Sequence, residues 1–304
     1  MVAYLFAGQG SQYIGMGKDL YDSFPRSKEV FDKADRILGF PLSKLCFEGP
    51  QEELTKTNNS QPAILTFSIA AFEAGKFPEA RFLAGLSSGE YSALVVAGSI
   101  SFEDAVYLLR QRGHFMEEEA EKKPGKMLAV IGLESSLLKQ VCIETGTEIA
   151  NFNCPGQIVI SGGASEILKA QSLAKAKGAK LAIPLEVNGA FHSSFMRGVS
   201  IKLAAELDRV KISIPKVPVV SNVTAKPVRS PTEIKENLIR QVASSVLWED
   251  SMRFILSQGI KEFIEFGPGK VLKGLMLHID PGARVTTIEN KEDFLALACL
   301  RRQA

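Results

Sequence analysis

The sequence predicts an α/β fold, a mainly parallel sheet covered on both faces by helices, with a second, smaller domain inserted into it. Three observations carry that prediction. Short apolar runs alternate with helix-period segments through residue 116 and again from residue 195, the pattern of parallel strands and crossover helices. Between the chain breakers Pro124-Gly125 and Asn188-Gly189 the order becomes β-α-β-β-α-β over about 60 residues, the split βαβ arrangement called ferredoxin-like. A Gly-x-Ser-x-Gly turn sits between an apolar strand and a helix.

Residues 2–7 form an apolar strand that runs into Gly8-Gln9-Gly10-Ser11-Gln12. Helical spacing follows over 19–21 and 27–38, the latter with Val30, Phe31, Ala34, Ile37 and Leu38 on one stripe. Residues 62–72 are almost wholly apolar and predict a buried helix. Residues 81–84 are a short strand ending at Gly85, and 91–97 and 102–116 read as helices. In the inserted segment the strands are 127–131, 148–153, 157–161 and 180–185, and the helices 134–142 and 165–177. The larger domain resumes with helix 195–207, strand 217–221, helices 231–241 and 252–258, and strand 262–266. The predicted division is a large α/β domain of residues 1–125 and 188–304, and a ferredoxin-like small domain of residues 126–187.

The 304 residues, 45% apolar and 23% charged, are a globular composition for one large domain or two ordinary ones. Disordered, collagen-like and low-complexity classes are excluded. Thirty-six Lys and Arg against 34 Asp and Glu leave a net charge of +2, so the totals give no electrostatic case for nucleic acid. Cys46, Cys142, Cys154 and Cys299 form no Cys-x-x-Cys pair and no metal-like spacing with histidine, and read as free thiols in a reducing compartment. The N-terminus lacks a basic region, and no apolar run approaches the roughly 20 residues of a membrane span. A cytoplasmic protein with no metal is expected.

Gly85-Leu86-Ser87-Ser88-Gly89 is the sharpest local signal. A serine on a tight strand-to-helix turn projects its hydroxyl outward, and the glycines remove Cβ atoms that would clash there. The helix N-terminus behind it favours developing negative charge. The plainer alternative is a small-residue turn in which Ser88 caps the helix. A nucleophilic hydroxyl needs a base, and the chain has three histidines. His114 and His278 read as helix residues. His192 lies between a strand and a helix, where α/β folds place catalytic groups.

Gly8-Gln9-Gly10-Ser11-Gln12 also follows a strand. As a dinucleotide turn it lacks the third glycine, Tyr13 standing there, and no strand ending in Asp or Glu follows at the needed distance. The other reading is a turn that brings a backbone N–H to the serine elbow. Acyl-transfer enzymes build an oxyanion hole from the N–H after the nucleophile and one from a separate loop. Gly267-Pro268-Gly269 reads as a plain turn. Arg112, near the predicted end of its helix, reads first as a surface arginine favoured by the helix dipole. Its second reading is a guanidinium fork for a substrate carboxylate.

These segments, with Gln61-Pro62-Ala63, Glu90-Tyr91, Arg112-Gly113 and Gly189-Ala190-Phe191-His192-Ser193, occur in one order from residue 2 to residue 277. In that order the chain closely resembles malonyl-CoA:acyl-carrier-protein transacylases, relatives of polyketide synthase acyltransferase domains. The resemblance implies a hydrolase-like α/β core with a ferredoxin-like insertion. It implies Ser87 as nucleophile, His192 as base, the N–H groups of Gln9 and Ser88 as oxyanion hole, and Arg112 as the grip on the malonyl carboxylate. It implies further that the backbone carbonyl of Gln241 orients His192, and that Phe191 belongs to the malonyl-selecting version of its segment. The chain departs from the family pattern at Leu86, where members have histidine, at Ser88, where they have leucine, and over residues 244–248.

The function so implied is transfer of malonyl from malonyl-CoA to the phosphopantetheine thiol of acyl carrier protein through a malonyl-serine, in fatty acid biosynthesis. No resident cofactor is expected, malonyl-CoA and the carrier protein being substrates, and the chain is expected to be a monomer. The rivals are a trans-acting polyketide-pathway acyltransferase, an acyl hydrolase, and a carrier-protein docking module that has lost its chemistry.

Overall fold

In the computed structural model, which describes residues 1–302 and side-chain surroundings through residue 297, the chain opens with the fully buried strand β1 (Val2–Phe6). Helix α1 (Lys18–Ser23) leads into α2 (Pro25–Leu38), which has proline in its first turn and stops at Gly39 with φ 71°. Helices α3 (Leu42–Glu48), α4 (Gln51–Thr55) and α5 (Thr57–Glu73) follow, the last sunk in the core along nearly all its length. Then come β2 (Ala80–Gly85), α6 (Gly89–Val96) and α7 (Phe102–Lys122). The next stretch is β3 (Gly125–Ile131), α8 (Ser135–Thr145), β4 (Glu148–Cys154), β5 (Gln157–Gly163), α9 (Ala164–Ala176) and β6 (Leu181–Pro184). A 3₁₀ turn at Ser194–Met196 precedes α10 (Arg197–Leu207), β7 (Val219–Val220), α11 (Pro231–Gln241), β8 (Val246–Leu247) and α12 (Trp248–Ser257). The chain closes with β9 (Glu262–Phe266), α13 (Val271–Ile279), β10 (Arg284–Ile288) and α14 (Lys291–Arg302).

The first sheet has the order β10-β9-β1-β2-β7 and is parallel throughout. Tyr4 and Phe6 of β1 enter one apolar cluster, while Ala3 and Leu5 enter another. A strand buried on both faces has no polar side, which is why residues 2–7 read as a continuous apolar run. The second sheet has the order β6-β3-β5-β4-β8. Its first four strands pair antiparallel, and β8 joins β4 in parallel. Here too alternate residues part company: Leu128 and Val130 pack in a cluster with residues of α8 and α9, while Met127 and Ala129 join the main core. A fully buried Leu or Val contributes about 1.5–3 kcal/mol, so both faces fasten this sheet in place.

Several boundaries differ from the sequence expectation for identifiable reasons. α5 begins five residues before Pro62, because the only helical bond a proline omits is the one to the Asn58 carbonyl, and the Arg110 guanidinium donates to that oxygen instead (2.9 Å). α7 runs on to Lys122 rather than ending at residue 116. β7 keeps two residues of the five expected, and β8 adds a strand too short to carry a period. α3, α4, β10 and α14 lie in stretches to which no element was assigned, and of α13 only the helical setting of His278 was expected. Among the described residues no helix is long and apolar enough to cross a membrane. Cys46, Cys142 and Cys154 are free and buried, and the side chain of Cys299 lies outside the described surroundings.

Candidate active site

Phe6, Gly85 and Phe266 are register partners at the carboxyl ends of β1, β2 and β9. The three loops that follow therefore leave the sheet side by side, at the edge where parallel α/β sheets place their ligands. The glycines of the 85–89 turn permit that crowding. A Cβ on Gly85 would lie 2.0 Å from the Gly89 backbone, and one on Gly89 would lie 2.3 Å from the Phe6 carbonyl oxygen. Ser87 between them has φ 52°, a left-handed conformation that costs a non-glycine residue about 1–3 kcal/mol. Its N–H donates to Asn222 Oδ1 (2.7 Å), and its carbonyl accepts from Gln241 Nε2 (3.1 Å). Asn222 Nδ2 also donates to the Gly85 carbonyl (2.7 Å), tying strand end and elbow together. The residue as a whole remains partly exposed.

His192 enters from the segment that leaves the small sheet. The Phe191 carbonyl accepts from Ser161 Oγ on β5 (2.6 Å), and a Cβ on Gly125 would meet that of Ala190 at 2.6 Å. His192 is itself left-handed, at φ 57°. Its Nε2 lies 2.8 Å from Ser87 Oγ, and its Nδ1 lies 2.8 Å from the Gln241 carbonyl oxygen. A carbonyl only accepts, so Nδ1 carries the ring proton and Nε2 is left to accept from the serine hydroxyl. Gln241 is the last residue of α11, and its carbonyl belongs to the helix end that has no intrahelical donor. A helix C-terminus, with its partial negative charge, thus stands where a triad would have a carboxylate. Burial, and then the Arg112 charge, push the imidazole down to about 4, partly offset by hydrogen bonds that the ring donates to the backbone of Gln241 and Ser244. The ring is neutral at pH 7.

Arg112 corrects the first reading of its position. It lies mid-helix and fully buried, not at an exposed helix end. Gly113 makes this possible: a Cβ there would meet Asn58 Cα at 2.5 Å, so α7 lies directly on the first turn of α5. Arg112 Nη1 donates to Gln61 Oε1 (2.7 Å), and Nη2 donates to Gln241 Oε1 (3.1 Å) and to Ser87 Oγ (3.2 Å). Its Nε is buried with no partner among the described residues. A cation held by two neutral amides and a hydroxyl, with its Nε–H unspent, has capacity for an arriving anion.

The turn after β1 lies on the elbow, since a Cβ on Gly8 would meet the Leu86 carbonyl oxygen at 2.3 Å. Ser11 Oγ closes this turn on the Gly8 carbonyl (2.8 Å), and the Gln9 side chain bridges Gln61 (3.1 Å) and Thr57 (3.3 Å). Among the described residues neither the Gln9 N–H nor the Ser88 N–H has an acceptor. Leu86 donates its N–H to the Phe6 carbonyl (3.1 Å) and packs its side chain on the second apolar cluster. Ser88 Oγ is buried without a partner among the described residues, so Ser88 makes no side-chain cap there. Phe191 is buried, its ring folded over Gly189. A crevice of about 700 Å³ opens from Gln9, lined by Thr57, Glu117, Lys126 and Asn188 among others. His114 and His278 are exposed helix residues, and Gly267-Pro268-Gly269 is a turn packed on Ala7.

Sequence reasoning assigned no role to Glu90, Asn222 or Gln61. Asn222 sits in an unpatterned loop and carries no signal. Glu90 carries one, a single charge inside the otherwise uncharged run from residue 82 to residue 102.

Residues 3–291 match the family model described as an acyl transferase domain. The malonyl CoA-acyl carrier protein transacylase of Bacillus subtilis (strain 168) is 48% identical over 312 residues, covering 99% of this chain and 98% of that protein. A crystal structure of an acyl carrier protein S-malonyltransferase from Vibrio cholerae superposes with a TM-score of 0.94 at 36% identity, over 97% of this chain and 99% of that one. A malonyl-transacylase in complex with its type II PKS acyl-carrier protein gives 0.94 at 37% identity, over 97% and 98%. With a match of that extent the family is shown: the chain belongs to the acyl transferases.

Proposed function

We propose that the chain transfers a malonyl group from malonyl-CoA to the phosphopantetheine thiol of acyl carrier protein in fatty acid biosynthesis. The observation that carries this is the pair of contacts on Ser87 Oγ: His192 Nε2 at 2.8 Å and Arg112 Nη2 at 3.2 Å. A base and a carboxylate receptor converge on one hydroxyl, as a nucleophile for an acidic acyl group requires. The three relatives described above are named as malonyl transferases of acyl carrier protein, which supports the same substrate pair.

In the first step His192 Nε2 takes the hydroxyl proton as Ser87 Oγ bonds to the thioester carbonyl carbon. The Gln9 and Ser88 N–H groups receive the oxyanion, and Arg112 pairs with the malonyl carboxylate. The C–S bond then breaks and the imidazolium returns its proton to the CoA sulfur. In the second step the carrier-protein thiol gives its proton to His192, its sulfur bonds to the malonyl carbon, and the C–O bond to Ser87 breaks with that proton returning to Oγ. The Gln241 carbonyl holds the imidazole throughout, and Phe191 limits the bulk of the acyl group. The 700 Å³ crevice is the entry for the thiol-bearing arm. Buried free thiols support a cytoplasmic setting, and we take a monomer as the working form.

Discharge of the malonyl-enzyme separates transferase from hydrolase. Rapid loss of malonyl on adding the phosphopantetheinylated carrier protein, with slow loss in buffer, is expected. Equal rates of discharge in both would make the chain an acyl hydrolase.

A further inference from the structure

Glu90, wholly buried at the start of α6, forms no salt bridge among the described residues. Burying a carboxylate costs several kcal/mol unless hydrogen bonds satisfy it, and the donors that satisfy this one are neutral. Oε2 accepts from the Asn222 N–H (3.1 Å) and from Gln241 Nε2 (2.6 Å).

Each donor leads back to the reacting groups. Asn222 takes the Ser87 N–H through its Oδ1, and Gln241 Nε2 reaches the Ser87 carbonyl. The Gln241 main chain holds His192, and its Oε1 accepts from Arg112. One carboxylate oxygen is thus a single hydrogen bond away from both residues that grip the strained elbow. Backbone strain of this kind persists only where the surroundings over-determine it.

We propose that Glu90 is a positioning residue for the acyl transfer, its Oε2 fixing Asn222 and Gln241 and through them the Ser87 peptide and the carbonyl partner of His192. This rests on the reading of Ser87 and His192 given above. Burial raises the carboxyl to about 7, against hydrogen bonds from Asn222, Gln241 and Ser221. Both its protonation states keep an oxygen that accepts, so the acceptor rather than the charge does the positioning.

The test compares Glu90→Met, which keeps the volume and removes the acceptor, with Glu90→Gln, which restores an acceptor oxygen. The readouts are the melting temperature, kcat and KM with malonyl-CoA, and the rate at which phenylmethylsulfonyl fluoride, which has no carboxylate, modifies Ser87. Misplacing reacting atoms by about 1 Å costs about 100-fold, so Glu90→Met is expected to lose about that factor in kcat and in sulfonylation. Its KM should stay within about threefold of the parent value, because Arg112 keeps its bond to Gln61. Glu90→Gln is expected to recover most of both rates. If Glu90→Met does not fold, Glu90→Asp, one methylene shorter, is expected to show the same loss. A folded Glu90→Met, or in its place a folded Glu90→Asp, that is sulfonylated at the parent rate, or a Glu90→Gln as slow as either, overturns the proposal. A parent enzyme that is sulfonylated at Ser87 but gains no malonyl group refutes the malonyl reading alone and leaves this comparison intact.

Discussion

Arg112→Ala separates carboxylate recognition from general acyl transfer. The guanidinium offers an incoming carboxylate the unpartnered Nε and the Nη2 hydrogen that it gives to Ser87 Oγ in the free enzyme, and a charge-assisted hydrogen bond contributes about 1.5–3 kcal/mol. Two such bonds give at least about 3 kcal/mol, which at 1.4 kcal/mol per tenfold lowers the malonyl-to-acetyl ratio of kcat/KM by about 100-fold or more. The ratio is the right quantity to measure. Removing Arg112 also leaves Gln61 Oε1 and Gln241 Oε1 without their donor, costing about 1–3 kcal/mol each in stability or local order. That damage falls on both substrates, because both use Ser87 and His192. The assay is transfer from malonyl-CoA and from acetyl-CoA to the carrier protein, each followed to kcat/KM with parent and variant. A malonyl-to-acetyl ratio that stays within about threefold of the parent value would refute the carboxylate role, whatever the absolute loss.

Because His192 is depressed to about 4, sulfonylation of Ser87 in the free enzyme is expected to stay flat from pH 7 to about 5 and to halve near pH 4; a midpoint near the ordinary histidine value of about 6.5 contradicts the burial described. The same depression contributes a loss of stability as pH falls through the window between about 6.5 and 4, since the unfolded chain takes up a proton there that the folded one refuses; Glu90 and Glu265, both raised to about 7 by burial, act with the opposite sign over much of that window, so the His192 contribution is read as the difference in melting-temperature profile between the parent and His192→Ala. Gly89→Ala places a Cβ 2.3 Å from the Phe6 carbonyl oxygen and is expected to lose about 3 kcal/mol or more by denaturant melt. Gly39→Ala, in open space at φ 71°, is expected to lose only about 1 kcal/mol. Arg110→Ala leaves the Asn58 carbonyl unpaired beside Pro62 and is expected to cost about 1–3 kcal/mol of stability with no change in the malonyl-to-acetyl ratio.

Elements whose burial follows a period were legible in the sequence. α2 carries its apolar stripe on one side, and β1 is buried on both faces. The elbow was legible because the steric demand of its turn is local and leaves two glycines in the chain. β8 was not, since two residues define no alternation and its pairing with β4 is a tertiary event. The burial of Arg112 was illegible for a related reason. Its neighbours suggested a helix end, and only the approach of α5 at Gly113 turns that face into an interior. Asn222 and Gln61 act through side-chain amides that have no preferred spacing from Ser87. Glu90 was visible as an isolated charge, but its partners come from distant parts of the chain.

That Ser87 carries the acyl group is tested most directly by intact-mass and peptide-level mass spectrometry after mixing with malonyl-CoA. One malonyl adduct on the peptide containing Ser87, absent from Ser87→Ala and much weaker with acetyl-CoA, is the predicted result. No adduct on the folded parent protein, or one located on a different residue, would contradict it.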